Sequence, residues 1–318
     1  MNIKSIINVS IIAIISIVFL VLGICGGFNL TELQKDALTT VAVVAAIAAA
    51  YCFIVGEISR NNSQMDKLWS ILPAVYLWII AVKGDMELRL IMMAVIATLW
   101  GIRLTYNFGR KGAYSIKFWA GEEDYRWILL RKHKLFRSRI VWAVFDLFFI
   151  SFYQNFVVLA ITLPAIAVMG SDKPFGIWDL IAFVLAIAFL LLELIADEQQ
   201  WKFHQEKKRL LAEGRTLAEL PMPYRRGFNT TGLWACSRHP NYLGEQSIWI
   251  SLYIFTIGAG AAGIGIFNWS IAGSMLLVLL FLGSSTLAEG ISGSKYSEYK
   301  TYCNSVPRYL PLPWRKYN

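Results

Sequence analysis

The sequence predicts an all-α, polytopic integral membrane protein, a helical bundle of about eight transmembrane helices with both termini in the cytoplasm. Three observations predict it. The 318 residues are 57% hydrophobic and only 16% charged, with a mean hydropathy of +0.52. That balance excludes a soluble globular domain. Apolar runs able to cross about 30 Å of hydrocarbon recur along the chain. Lysine and arginine, finally, are concentrated in alternate connecting segments.

The apolar runs fall near residues 5–24, 38–58, 67–83, 88–108, 139–168, 177–200, 243–260 and 266–288. Lys4 precedes the first run as in a signal peptide. The run's length and its lack of a small-residue cleavage site instead predict a retained span. Pro73, Pro164, Gly170, Pro174 and Gly290 punctuate the pattern, and no internal repeat interrupts it. Segments 109–140 and 201–242 and the tail from Lys295 onward are basic, whereas loops near 25–37, 84–87, 169–176 and 261–265 are nearly free of lysine and arginine. With about eight spans every basic segment falls on one face, which the positive-inside rule makes cytoplasmic. The net charge of +9 is thereby explained without a nucleic-acid partner.

Cys25, Cys52, Cys236 and Cys303 are scattered, and His133 and His204 have no partner at ligand spacing, so no metal site or disulfide framework is expected. Two further strings carry no chemistry. Gly258-Ala-Gly-Ala-Ala-Gly263 follows no strand and reads as close helix packing or a tight turn. Ser292-Gly-Ser-Lys295 lacks the companion motifs of serine–lysine enzymes.

The chemistry concentrates in Trp234-Ala-Cys-Ser-Arg-His-Pro-Asn-Tyr-Leu-Gly-Glu245. Pro240 suits the first turn of a helix, with Ser237 just ahead of it. The N–H groups of such a start form an anion site, beside which stand Arg238 and His239. Asn241 and Glu245, four apart, share one helix face, and Gly244 between them permits a close backbone approach. An ordinary helix start with interfacial anchors is the alternative. Cytoplasmic arginines near this start would suit an adenine dinucleotide carrying an extra phosphate.

Ionisable residues in or at the edge of the spans are functional candidates, because burying them unpaired costs about 2.5–3.5 kcal/mol on insertion scales. Arg103 either snorkels to the headgroups or reaches a ligand phosphate. Glu193 and Asp197 share a face of the sixth span. Asp66 is a helix N-cap or a functional acid. Asp146, Tyr153 and Gln154 lie deeper in the fifth span.

Arg238-His-Pro-Asn-Tyr-Leu-Gly-Glu245, with Tyr296-Ser-Glu-Tyr299 and Pro311-Leu-Pro313, resembles the carboxy-terminal region of membrane steroid 5-alpha-reductases and their bacterial relatives, the DUF1295 proteins. Ser63-Gln-Met-Asp-Lys-Leu-Trp69, Trp100-Gly-Ile-Arg-Leu104 with Glu123-Asp-Tyr-Arg-Trp127, and Ala196-Asp-Glu-Gln199 look like the bacterial branch. The likeness covers about residues 60–313. Residues 1–36 are accordingly expected to be an additional amino-terminal transmembrane helix before a steroid-reductase-like membrane domain over 37–318.

The resemblance implies an NADPH-dependent reductase acting on CH–CH groups. It would transfer hydride to a C=C bond conjugated to a carbonyl in an apolar lipid or steroid-like substrate. Carried over by motif, Asn241, Tyr242 and Glu245 would contact the nicotinamide half of the cofactor, with Arg238 and His239 beside them. Asp197 would hold the cofactor from the preceding helix, Arg103 would lie near its phosphates, and Tyr296 and Tyr299 would close over its adenosine end. Asp66 stands in the place of the family's carbonyl-binding glutamate. Trp100 replaces its tyrosine, leaving Tyr106 or Tyr153 as the nearest phenol, so Asp66 and Tyr106 are the expected catalytic residues. Hydride addition builds charge on the carbonyl oxygen, which a protonated acid or phenol must meet.

Isoprenylcysteine carboxyl methyltransferases share Arg-His-Pro-x-Tyr-x-Gly, making an S-adenosylmethionine-dependent membrane methyltransferase the alternative. Asn241, Glu245 and the Asp197 segment favour the reductase. A transporter would need polar residues reaching both faces, and the outer halves of the spans hold few. The expected partners are an apolar small molecule and membrane lipids. The chain is expected to act as a monomer in a bacterial inner membrane, its cofactor site facing the cytoplasm.

Overall fold

The computed structural model describes residues 30–261, 263, 266–312 and 317; the expected first span, 5–24, lies outside them. Every regular element among the described residues is helical. Helix α1 covers Glu32–Ser59, α2 Gln64–Trp69, α3 Leu72–Lys83, α4 Leu88–Gly109 and α5 Tyr125–Lys132. Helix α6, Arg139–Phe145, runs through a π-helical segment, Asp146–Tyr153, into α7, Gln154–Ala160. Then follow α8 Leu163–Val168, α9 Ile177–Ala212, α10 Pro240–Gly258, α11 Ile271–Lys295 and α12 Tyr299–Ser305.

Among the described residues, five helical stretches are long and apolar enough to cross a membrane: Glu32–Ser59, Leu88–Gly109, Arg139–Val168, Ile177–Ala212 and Ile271–Lys295. This is a helical membrane protein. Three of the eight expected spans are not among the five, for identifiable reasons. The first lies outside the described residues. The third, 67–83, is divided at Ser70 and Ile71, and α3 alone is only 12 residues, about 18 Å at 1.5 Å per residue. The seventh, α10, carries Asn241, Glu245 and Gln246 in its first two turns, so its apolar stretch is shorter than its 19 residues.

The chain divides into two compact units. The amino-terminal unit holds the described residues up to Phe183 together with Ile250–Leu276; the carboxy-terminal unit holds Val184–Trp249 and Leu277–Asn318. In the amino-terminal unit α1 starts with a capping box, Thr31 Oγ1 accepting from the Gln34 N–H and the Gln34 side chain returning to the Thr31 N–H. Its buried stripe is small: Ala37, Val41, Ala45, Ala48, Ala49, Cys52 and Gly56. Small side chains let α3, α7 and the π-helical segment pack closely against it. Pro73 and Pro164 each sit in the first turn of a new helix, where the missing N–H leaves no bond unmade.

One end of this unit is pinned by a buried ion pair. Arg89 Nε donates to Asp179 Oδ1 at 2.7 Å, and its other nitrogens bond the Lys173 and Pro174 carbonyls at 2.7 Å. Asp179 also accepts from the Gly176 N–H, and a Cβ on Gly258 would lie 2.6 Å from Asp179 Oδ1. The glycine string at 258–263 thus begins where a helix end must pack close to a carboxylate.

Candidate functional site

In the carboxy-terminal unit the acid face of α9 meets the polar face of α10. Gly244 makes this possible. A Cβ there would lie 2.7 Å from Glu193 Cβ and 3.0 Å from the Phe189 carbonyl oxygen. The close approach expected at Gly244 is therefore that of helix α9. One turn away, Asn241 Nδ2 donates to Asp197 Oδ1 at 3.2 Å. Glu193, Asp197 and Glu245 are all buried, and Trp249 Nε1 points to Glu245 Oε1 at 3.4 Å. The bond to Asp197 fixes which way the Asn241 amide faces. Its Oδ1 is buried and has no hydrogen-bond partner among the described residues.

The residues ahead of α10 are engaged differently from the sequence expectation. The Arg238 and His239 N–H groups donate to the Pro307 and Arg308 carbonyls at 3.0 Å, and Ser237 Oγ donates to the Tyr309 carbonyl at 2.6 Å. These groups ahead of the helix secure the tail. Arg238 bonds Glu289 Oε1 at 2.8 Å and the Cys303 and Val306 carbonyls at 2.7 and 2.5 Å. His239 Nε2 lies 3.0 Å from Glu289 Oε1, its ring stacked on Tyr242 at 5.1 Å, and Arg308 reaches Glu289 Oε2 at 3.0 Å. Glu289 thus gathers two arginines and a histidine. In the sequence Glu289 falls just past the end of the last apolar run, 266–288, and so lacks the mark that Asp197 carries inside its own run.

Burial holds the His239 pKa below its usual value of 6.5, against the Glu289 hydrogen bond, which raises it. The neutral ring is the folded form, so the unfolded chain takes up a proton first as pH falls. Stability contributed here is present above pH 6.5 and drains away below it. His239→Gln is expected to flatten the loss of unfolding temperature between neutral and acid pH. Parallel wild-type and variant profiles would refute that assignment.

Tyr299 sits inside an aromatic cluster, 4.9 Å from Phe228 and 5.7 Å from Tyr302. Tyr302 donates to the Trp234 carbonyl. Tyr296 lies over Gly227, where a Cβ would come within 2.2 Å of its ring.

In the amino-terminal unit Asp66 is a first-turn residue of α2 and not its cap, which is Ser63. Trp127 Nε1 donates to Asp66 Oδ2 at 2.7 Å, and Arg126 reaches Oδ1 at 3.2 Å. Burial pushes the Asp66 carboxyl above the ordinary range, with the Arg126 charge opposing. The two stretches around it interlock: Asn62 N–H bonds Glu123 Oε1 at 2.8 Å and Asp124 N–H bonds Ser63 Oγ at 2.9 Å. Buried Lys67, not singled out in the sequence, donates to the Phe118 and Ala120 carbonyls. Deeper, Asp146 accepts from Asn62 Nδ2 at 2.8 Å and from Ser151 Oγ at 3.3 Å. The wider π-helical turn puts residues five apart on one face, which makes the latter contact possible.

Arg103 is buried on α4. Tyr106 is 61% exposed, its ring under the Arg110 guanidinium at 5.2 Å, and it lines an apolar groove of about 900 Å³ between α3 and α4. Among Asp66's hydrogen-bonding partners are Trp127 and Arg126, and Tyr106 is not one of them. A phenol that does bond the α2 segment is Tyr114, whose hydroxyl donates to the Lys67 carbonyl at 3.2 Å. The expected residues thus form two sets. Asp66, Arg103 and Tyr106 belong to one unit; Asp197, Arg238, His239, Asn241, Tyr242, Glu245, Tyr296 and Tyr299 belong to the other.

A sequence profile described as "Protein of unknown function (DUF1295)" matches residues 52–306. The chain belongs to the DUF1295 family. The match spans both sets of residues and stops just short of the tail segment, 307–309, that binds Ser237, Arg238 and His239. The uncharacterized protein C594.04c of Schizosaccharomyces pombe is 35% identical to this DUF1295 protein over 275 residues, which are 81% of this chain and 77% of the yeast one. No solved structure matches it.

Proposed function

We propose that this DUF1295 protein is an NADPH-dependent membrane reductase that saturates a C=C bond conjugated to a carbonyl in an apolar lipid or steroid-like substrate. The observation that carries the reading is the buried, unpartnered Asn241 Oδ1 beside Asp197 and Glu245. A buried carbonyl oxygen without a donor costs about 1–3 kcal/mol. The N–H of a nicotinamide carboxamide is a donor of the right kind, and neighbouring carboxylates suit ribose hydroxyls. Asn241, Glu245 and Asp197 would hold that end of the cofactor, with Tyr242 alongside.

When bound, the cofactor supplies the hydride. The chain's own task is to orient it, to keep water away and to meet the charge on the substrate oxygen. Asp66 is suited to the last role, because burial favours its protonated form and the Trp127 indole holds one of its oxygens. Arg103 is retained as the phosphate ligand that the family resemblance implies. The same reading places about eight spans in the bilayer, both termini and the cofactor entrance in the cytoplasm, and a monomer as the working unit.

NADPH consumption by purified protein, measured against enone steroids, sterols and unsaturated lipids, tests the activity. Asn241→Ala is expected to weaken NADPH binding about 10–100-fold, the equivalent of one buried hydrogen-bonding group. An unchanged affinity would remove Asn241 from the site.

A further inference from the structure

The groove between α3 and α4 has a shape and a polarity that the proposed reaction does not require. Its lining follows α3 for its whole length, through Ile71, Val75, Trp78 and Val82, and faces Ile102 and Tyr106 on α4. That makes it about 18 Å long, at 1.5 Å per residue, and its volume is about 900 Å³. The walls stand open, Val82 and Ile102 being 66% and 63% exposed. The floor is closed, because α4 lies on α2's end at Gly101, where a Cβ would come within 2.4 Å of the Ser70 carbonyl oxygen.

The two ends of the groove differ. At one, Lys83 is already paired with Asp36. At the other, the Ser70 and Thr105 hydroxyls bond each other at 2.7 Å, and Arg110 stands over the Tyr106 ring, followed by exposed Lys111. A long apolar trough that opens sideways and carries positive charge at one end suits a single acyl chain attached to an anionic head.

We infer that this groove is a specific site for one acyl chain of an anionic membrane phospholipid, its headgroup at Tyr106, Arg110 and Lys111 and its chain running toward Val82. The site belongs to the amino-terminal unit and does not depend on the reductase reading. Binding excludes bulk lipid from the groove and fills the gap between α3 and α4.

The test uses the full chain in phosphatidylcholine vesicles containing a phosphatidylglycerol with a photoactivatable diazirine on one acyl chain. Adducts are mapped by mass spectrometry. The expected result is labelling of residues 71–83 and 98–106 that unlabelled phosphatidylglycerol competes away and added phosphatidylcholine does not. Ala74→Phe, which fills the groove floor, is expected to lower labelling there about tenfold, and Arg110→Gln to abolish the headgroup preference. Val75→Trp, on the exposed wall, serves the same purpose if Ala74→Phe fails to fold. Labelling of the groove no stronger than that of exposed Leu191, Leu194 and Ile195, or unaffected by competitor, would overturn the site. Equal competition by phosphatidylcholine would overturn its selectivity. NADPH binding is not read in this experiment, so failure here leaves the proposed activity standing.

Discussion

Replacing Arg89 by methionine is expected to destabilise the amino-terminal unit by about 3–5 kcal/mol, the usual consequence of stranding one member of a buried ion pair. The stranded group would be Asp179, which is 0% exposed and retains only the Gly176 N–H among the partners seen here. The loss extends beyond charge, since Arg89 also satisfies the Lys173 and Pro174 carbonyls. Unfolding in detergent, followed by denaturant midpoint or temperature, reads the effect. Adding Asp179→Leu to Arg89→Met should recover part of the loss, because the uncompensated charge is then gone. A double variant no better than the single would mean that the carbonyl contacts carry the stability.

Asp66→Asn is expected to lower turnover about 10²–10⁴-fold, the range supplied by a general acid, with NADPH affinity unchanged. The carboxyl titrates above its ordinary range. Its acid form, and the rate that depends on it, therefore persist as pH rises past the usual carboxylate value and are lost only above the raised one. Asn keeps the shape and a hydrogen-bonding contact to Trp127 but cannot give up a proton at neutral pH, so the variant separates the two. Turnover equal to wild type would remove Asp66 from catalysis and leave it as a brace for the 123–127 stretch.

How far the sequence revealed these groups depends on the distance over which each is organised. The four-residue spacings of Glu193 with Asp197, and of Asn241 with Glu245, define helix faces by themselves, and the structure turns those faces toward each other. That they meet is decided by Gly244 against Glu193, a contact between residues 51 apart, which no local pattern encodes. Glu289 and the tail are a stronger case. The Arg238 and His239 N–H groups look free in sequence because their partners, Pro307 and Arg308, lie about 70 residues on.

The apolar run 139–168 reads as one uniform helix, yet it contains the π-helical segment and a break at Ile161 and Thr162. Neither changes hydrophobicity, so hydropathy cannot see them; Pro164 alone marks the place. Tyr106, like Tyr153, is a candidate only as the phenol nearest the place that Trp100 occupies, but packing, not spacing, decides which side of α4 faces inward. The structure puts Tyr106 on an exposed groove wall. Asp66 stands out in the sequence as an acid at the edge of a span, and in the structure it accepts a hydrogen bond from the Trp127 indole.

Buried carboxylates beside an asparagine suit the positively charged sulfonium of S-adenosylmethionine as well as they suit a nicotinamide. The most direct measurement is therefore the unfolding temperature of the purified protein with each ligand in excess. The account predicts that NADPH stabilises it, by about 2.7 kcal/mol at a concentration one hundred times its Kd. Asn241→Ala should lose most of that gain, and S-adenosylmethionine should give none. Stabilisation by S-adenosylmethionine with no response to NADPH would contradict the account.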